Sequence, residues 1–310
     1  EWVEFVAGAQ GAEPVIGELT EGSAVRGYFT GLTVRRFGVP ILGSPMPGWT
    51  TGFMGFNLEP GVSRREATEA LVDFAFGSLG CAHLELKDHE LDLAEVEGLG
   101  FDHTAWHGLE VDLSPPEDEV FASFKSACRT AIRKAEKQGI VVEEAEVDGF
   151  VEDFYPQMQD VFAKQNLVPT FGPDRIRELI RHVHPTGRLL LLRARDSEGT
   201  PVATGIFPFH NRTIHFLSGA SWRSSQSQRP NEALMWHAMR FGKQRGMQAM
   251  DLGGFMSYKQ KWGGRELRPP HLRKSRSGAV AALRDLAQRA FVARVRLAGK
   301  LRRGGGDARE

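Results

Sequence analysis

Residues Pro230–Gly264 read PNEALMWHAMRFGKQRGMQAMDLGGFMSYKQKWGG, and this stretch decides the fold. Pro230 stands where a first helical residue belongs, because its fixed φ suits that position. Gly246 falls where a left-handed residue closes a helix. Leu234, Met235, Ala238 and Phe241 recur at helical spacing, so they mark a core face. Met247 to Leu252 then reads as a buried strand that stops at Gly253-Gly254. Beyond it comes a loop in which Tyr258 and Trp262 flank Lys259 and Lys261.

Upstream, Pro115 and Pro116 open a segment read as one helix from Glu117 to Gln138. Phe121, Phe124, Cys128, Ile132 and Ala135 form its apolar stripe. Lys125, Arg129, Arg133 and Lys137 recur every fourth residue and so lie along one row. Cations in a row repel one another, and only Glu119 and Glu136 are close in sequence to offset them. Such a row suits a polyanion such as a phosphorylated ligand, or else is a solvated face. Gly139 closes the helix, and Ile140-Val141-Val142 begins a strand.

These two segments, in this order, resemble those of the Fem-type peptidoglycan-bridge aminoacyltransferases of the GNAT superfamily. In that family a helix ending in Gly leads to a strand, an Asp-x-Gly-Gly turn and a Phe-Lys-x-x-Phe-Gly loop. Here the turn is Asp251-Leu252-Gly253-Gly254 and the loop is Tyr258-Lys259-Gln260-Lys261-Trp262-Gly263-Gly264. The resemblance implies an α/β fold of α+β layers: two tandem GNAT-like (acyl-CoA N-acyltransferase) domains plus a basic C-terminal helix. The expected domains are 1–145, 146–265 with the transfer site, and a basic tail at 266–310 with an amphipathic helix. It further implies N-acyl or aminoacyl transfer to an amine of a cell-envelope precursor or another small acceptor. The donor would be acyl-CoA or aminoacyl-tRNA, used as substrate, with no tightly bound cofactor. An acyl-CoA-dependent N-acyltransferase outside wall synthesis is the competing enzyme reading. A non-catalytic GNAT-like module that binds RNA or an anionic membrane is the competitor of another class.

The bulk numbers agree with a globular protein of this size. The chain has 310 residues, 41% hydrophobic and 25% charged, enough for two domains of ordinary size. Its net charge of zero hides an asymmetry: residues 265–310 hold thirteen Lys or Arg against four acids, so the remainder is acidic by the same surplus. Cys81 and Cys128 are the only cysteines, and Cys128 falls on an apolar helix face. A buried thiol in a reducing cytoplasm is the expectation. No run reaches the length of a membrane span and no signal peptide is visible. The expected location is the cytoplasm, with the inner face of the membrane as a site of peripheral contact. The chain begins at Glu1 without a methionine, which leaves the native N-terminus open.

Other elements follow from pattern. Pro14–Leu19 and Ala24–Phe37 are β-rich, and a Gly/Pro-heavy stretch, 38–52, reads as loop. Ser63 and Glu66 have capping-box spacing ahead of a helix through Ala67, Leu71, Phe74 and Ala75. Ala82–Leu86 and Leu109–Leu113 read as strands. Residues 148–165 and 173–184 read as helices, and 188–195, 201–210 and 212–221 as three successive strands. Ala279–Leu301 is amphipathic, with Val280, Leu283, Leu286, Phe291, Val295 and Leu297 on its apolar side. It packs on the body or lies on an anionic membrane surface.

The candidate site residues follow from these placements. By the resemblance, Lys259 takes the lysine position at the acyl-transfer site, where an ammonium can neutralise a developing oxyanion. Tyr258 and Trp262 anchor its loop, and Lys261 is expected to meet solvent or phosphate. Asp251, at a strand end, is a candidate to orient an amine or accept its proton, or else to bind turn amides. Asn231, beside Pro230, sits at a helix N-terminus, where bare amides receive phosphate. Lys125, Arg129 and Arg133 are the other phosphate candidates. The GNAT phosphate signature, Arg/Gln-x-x-Gly-x-Gly/Ala, is not matched; Ser218-Gly219-Ala220-Ser221-Trp222-Arg223 and the run to Arg229 stand in its place. Ten histidines are scattered without metal-ligand spacing, and no metal site is expected. There is no Walker loop, serine elbow or dinucleotide fingerprint. Direct attack by a substrate amine on a bound donor fits that inventory. The presence of both Asp251 and Lys259 favours an enzyme over a binding module.

Overall fold

The computed structural model describes residues 1–290 apart from 37, 165, 166, 168, 170 and 288. In chain order the first part comprises α1 (Trp2–Gln10), β1 (Glu13–Glu21), β2 (Ala24–Arg36), β3 (Val39–Ser44), β4 (Gly55–Leu58), α2 (Arg64–Asp73), β5 (His83–Leu86), α3 (Leu93–Val96) and β6 (Asp102–Ala105). Then come β7 (Gly108–Asp112), α4 (Glu117–Ser123), α5 (Ser126–Lys137), β8 (Val141–Glu144), α6 (Phe150–Ala163) and α7 (Pro173–Val183). The last part runs β9 (Leu189–Arg195), β10 (Pro201–His210), β11 (Thr213–His215), β12 (Ser218–Ser221), α8 (Pro230–Gln244), β13 (Ala249–Gly254), β14 (Arg265–Leu267) and β15 (Pro270–Ser275).

Two compact α/β units result. The first comprises Glu1–Phe5 and His107–Arg268, the second Val6–Trp106 and Pro269–Glu310. The contacts therefore part the chain after residues 106 and 268, where the sequence grammar sets boundaries after 145 and 265. The shift at the C-terminal end has a clear cause. β15 lies in the segment expected to be basic tail, yet it pairs with β5 on one side and β6 on the other. It buries Pro270 and Leu272, the latter between His271 and Arg273, so the strand carries little apolar signal.

The second unit's sheet has the order β1-β2-β3-β5-β15-β6, with β4 paired to β2. β3 falls inside the stretch expected to be loop; it pairs antiparallel with β2 and parallel with β5, and buries Leu42. Leu71 and Ala75 of the capped helical segment pack with Leu42, Leu84, Leu86 and Leu272 on one face. Ser63 caps α2 as its spacing predicts, accepting the Glu66 amide. After β15, helical residues 278–287 follow. Arg284 pairs with Asp102 and Asp285, while Leu283 and Leu286 are exposed. At these two positions the expected apolar side is not packed on the body; 291–301 lies outside the described residues.

The first unit's sheet has the order β14-β7-β13-β11-β10-β9-β8. α5 and α8 cover one face, burying Cys128, Ile132, Leu234, Ala238 and Met239 against Val111, Ile214, Met250 and Leu252. Two departures from the sequence reading shape the site. The helix expected over 117–138 is broken: Phe124 is extended (φ −67°, ψ 148°), which drops its ring into the core between α4 and α5. The strand expected over 212–221 is also split, into β11 and β12. β11 pairs parallel with β13, whereas β12 pairs only with β10.

Candidate functional site

The site begins where those strands part. β11 and β13 run together through Thr213–Ala249, Ile214–Met250 and His215–Asp251, and the Phe216 amide still donates to the Asp251 carbonyl. The next amide, Leu217, already donates to Ile206 on β10. β13 meanwhile bulges against β7: Asp251 faces Glu110 and Gly254 faces Gly108, so one extra residue is accommodated between them. Gly253 takes φ +72° in the bulge, a conformation that a side chain would strain. This explains the Asp-x-Gly-Gly grammar. Parting strands leave carbonyls without ladder partners, and buried carbonyls need donors.

Lys259 supplies those donors. Its Nζ donates to the Leu252 carbonyl at 2.5 Å and to the Gly254 carbonyl at 3.0 Å, and lies 5.6 Å from the Phe216 ring centroid. The residue is only 8% exposed. Burial lowers its pKa below the ordinary lysine value, with attraction to Asp251 opposing that shift. An ammonium has three N–H donors, so one remains after the two carbonyl contacts. The short 3-10 segment Ser257–Trp262 carries this lysine, with Trp262 as its anchor. Trp262 is 2% exposed and meets Phe124 edge-on at 5.2 Å. The Lys125 amide also donates to the Lys261 carbonyl at 2.9 Å. The two motifs recognised in the sequence are thus joined by a ring contact and a backbone hydrogen bond. Tyr258, by contrast, is 53% exposed.

Asp251 lies in a polar row that sequence reasoning missed. Register sets Arg265 of β14 opposite Glu110 of β7, Glu110 opposite Asp251 of β13, and Asp251 opposite His215 of β11. Directly opposed residues share a sheet face, so these four line the side away from Val111, Met250 and Ile214. Arg265 donates to Glu110 Oε1 at 2.9 and 2.6 Å. Asp251 Oδ1 accepts the Gly253 amide at 2.6 Å, and Oδ2 lies 3.2 Å from His215 Nδ1. The missed signal is alternation: Leu109-Glu110-Val111, Ile214-His215-Phe216 and Met250-Asp251-Leu252 each set one polar residue between two apolar ones.

The other expected site residues are placed differently. Lys261 meets neither solvent alone nor an open phosphate position; its Nζ donates to Glu232 Oε1 at 2.7 Å. Glu232 is 7% exposed in the first turn of α8, so a carboxylate already lies against the positive end of that helix. Asn231 Nδ2 donates to Ser221 Oγ at 2.9 Å, tying the start of α8 to β12. Of the basic row, Lys125 sits exposed at the start of α5. Arg129 turns back to donate to the carbonyls of Ala122 (2.9 Å) and Phe124, which the break between α4 and α5 leaves open. Arg133 is exposed, its guanidinium 5.3 Å from the Phe121 ring centroid. The row does not converge on Lys259 through any contact described. Cys128 is a buried free thiol, raised to about 12 by burial, and therefore unreactive. No cluster of metal-ligating side chains occurs among the described residues. None of their helices is long and apolar enough to cross a membrane.

Residues 122–266 match the family described as "Acetyltransferase (GNAT) domain". That segment contains α5, α8, β13 and the Lys259 loop, though Glu110 lies outside it. No curated protein matches the sequence. Among solved structures, FemX superposes with a TM-score of 0.72 at 14% identity, covering 87% of this chain and 90% of its own. L-PGS from Bacillus licheniformis gives a TM-score of 0.57 at 11% identity, covering 94% of this chain and 96% of its own. At such identities the likeness is one of fold, and it extends over both α/β units.

Proposed function

We propose that this chain, whose residues 122–266 match an acetyltransferase (GNAT) domain and whose fold is similar to that of FemX, transfers an aminoacyl or acyl group to an amine of a cell-envelope precursor. One observation carries the reading: a buried lysine sits where β11 and β13 part, with one N–H left after two carbonyl contacts. Acyl transfer passes through a tetrahedral oxyanion, and one preorganised donor to it contributes about 3 kcal/mol to lowering the barrier. Lys259 is fixed by Leu252 and Gly254, so little rearrangement is needed when that charge develops. Trp262 holds the segment, and Gly253 lets the backbone approach a ligand closely.

The donor favoured is an aminoacyl-tRNA. A pyrophosphate at the start of α8 would meet the Glu232 carboxylate, which is already neutralised by Lys261. A basic helix bearing Lys125, Arg133 and Lys137 suits a larger polyanion that binds along a surface. The acceptor proposal draws on the company of FemX and L-PGS among similar folds. A contact between the basic C-terminal segment and an anionic membrane would bring the protein to such acceptors.

Purified protein should be melted and assayed with aminoacyl-tRNA and, separately, with acyl-CoA, each with a panel of envelope-precursor amines. A donor at one hundred times its Kd adds about 2.7 kcal/mol of stability, enough to read as a melting shift. Stabilisation and amide formation with aminoacyl-tRNA are expected. Transfer from acyl-CoA alone would replace this reading by the CoA-dependent one. RNA binding without transfer would make the chain a binding module.

A further inference from the structure

Resting on that transferase reading, we infer that His215 is the proton acceptor of the reaction and that Asp251 is its positioning residue. A carboxylate at a strand end invites the simpler assignment, in which Asp251 itself takes the amine proton. The geometry argues otherwise. Asp251 Oδ1 is engaged by the Gly253 amide at 2.6 Å and Oδ2 by His215 Nδ1 at 3.2 Å. The Asp251 side chain is 11% exposed, whereas that of His215 is 41% exposed. An ionised carboxylate only accepts hydrogen bonds, so Nδ1 carries the hydrogen and the lone pair falls on Nε2. The imidazole therefore turns its basic nitrogen away from Asp251, as a general base requires.

The position also suits the chemistry. His215 is the last residue of β11 paired to β13, and Phe216 begins the departure toward β10. On β13, the residue opposite His215 is followed at once by Leu252, whose carbonyl holds Lys259. Lys259 and Asp251 attract each other electrostatically. The oxyanion donor and the proton acceptor thus flank one point of strand separation. Among the described residues, the charged and titratable groups that register and contacts set toward His215 include Asp251 on β13, Glu110 and Asp112 on β7, Arg265 on β14, Lys259 on the 3-10 segment and His210 on β10. His210 faces Thr213 across β10–β11 and contacts Arg188, and it feels the charge of His215.

The step balances without another reagent. The acceptor amine attacks the donor's acyl carbon, forming the C–N bond, and its proton passes to His215 Nε2. The C–O bond of an aminoacyl ester, or the C–S bond of a thioester, breaks as the tetrahedral intermediate collapses. The leaving oxygen or sulfur then takes the proton from the imidazolium, which returns neutral His215.

His215→Asn is the decisive variant, because its amide nitrogen can keep the bond to Asp251 while nothing replaces Nε2. With aminoacyl-tRNA and the amine panel, kcat should fall at least a hundredfold, within the range for general-base loss. Donor KM should stay within twofold, and the acid limb of the wild-type pH–rate profile should disappear. Added imidazole should restore part of the rate to His215→Gly. Asp251→Asn should displace the acid limb without abolishing it, which a purely structural role would not do. Circular dichroism and melting establish that each variant folds; if His215→Asn does not, imidazole rescue of His215→Gly decides. Wild-type transfer with an unchanged rate and acid limb in His215→Asn, or no rescue of His215→Gly, overturns the inference while leaving the transferase reading. A wild-type protein that transfers from neither donor class overturns both.

Discussion

Each α/β unit places a carboxylate beside at least one imidazole on a sheet, and the two arrangements differ in what is left open. In the second unit Glu85 lies between His83 Nε2 at 3.3 Å and His271 Nε2 at 2.8 Å, while His83 Nδ1 meets Ser275 Oγ at 2.9 Å. His83 is 3% exposed and Glu85 7%, and both ring nitrogens of His83 are engaged. Burial alone pushes the Glu85 carboxyl up, but its close contacts with the His271 and His83 imidazoles and their charge outweigh it and hold it at about 2. In the first unit Asp251 is equally buried, yet its imidazole partner is partly exposed and, among the described residues, is engaged at Nδ1. A closed network converts ionisation into stability. An open one leaves a nitrogen for chemistry, so the same pairing of carboxylate and imidazole serves either end according to exposure.

The sharpest way to break this comparison is at Lys259, which belongs to the open site. Lys259→Met should cut turnover per folded molecule by a hundredfold or more, matching loss of about 3 kcal/mol from the transition state, with donor affinity little changed. It also leaves the Leu252 and Gly254 carbonyls without their donor, so a stability loss of about 1–3 kcal/mol should accompany it. Single-turnover kinetics on the folded fraction separates the two effects. Near-wild-type turnover after that correction would reduce Lys259 to a structural donor and remove the catalytic half of the comparison.

Glu85→Gln tests the closed network. The folded carboxyl, at about 2, lies below its unfolded value of 4.5, so ionisation favours the folded state. The contribution is fully present above about 4.5 and is lost as pH falls through the folded value. The gap corresponds to about 3 kcal/mol at neutral pH. Denaturant titrations should therefore show Glu85→Gln destabilised by about 2–3 kcal/mol at pH 7, with the gap to wild type closing between about 4.5 and about 2. Transfer activity of the folded variant should be unchanged. A pH-independent gap would mean that packing, and not ionisation, accounts for the loss.

How much of this was legible in the sequence follows from the same contrast. The helix–strand–turn order of 230–264 was readable, because Pro230, Gly246 and Gly253 each answer to a local backbone requirement. The strand expected over 247–252, however, runs from Ala249 through Gly253 to Gly254, and the expected loop winds as a 3-10 turn over Ser257–Trp262. The Lys259–Trp262 loop was readable through its resemblance. The polar row was not, since strand register brings Glu110, Asp251 and His215 together from distant parts of the chain, which no local pattern records. The break at Phe124 was hidden for a related reason. Phe124 fits the apolar stripe of a continuous helix, and only its packing with Trp262 and Trp236 calls for an extended residue there. β15 was lost because His271, Arg273 and Lys274 outnumber the buried Pro270 and Leu272 in a short strand.

The smallest effect sharpens the rule of open and closed groups within the basic row itself. Arg129 and Arg133 are four residues apart on α5, and the sequence treats them alike. In the structure Arg129 is partly buried and spends its guanidinium on the Ala122 and Phe124 carbonyls, whereas Arg133 is exposed over Phe121. Arg129→Gln should therefore cost about 1–2 kcal/mol of stability, the loss of a charged donor to partly buried carbonyls. Arg133→Gln should stay within about 0.5 kcal/mol of wild type, as surface substitutions do. Binding should sort them the other way. If α5 receives the phosphates of a tRNA donor, Arg133→Gln should lower the slope of log affinity against log salt by about one. Arg129→Gln, already committed to backbone carbonyls, should leave that slope alone. Filter binding of tRNA at several salt concentrations, beside melting curves, reads both properties. An altered salt slope in Arg129→Gln with no loss of stability would show that its guanidinium leaves the carbonyls to meet the ligand. The two arginines would then act as the single row that the sequence draws.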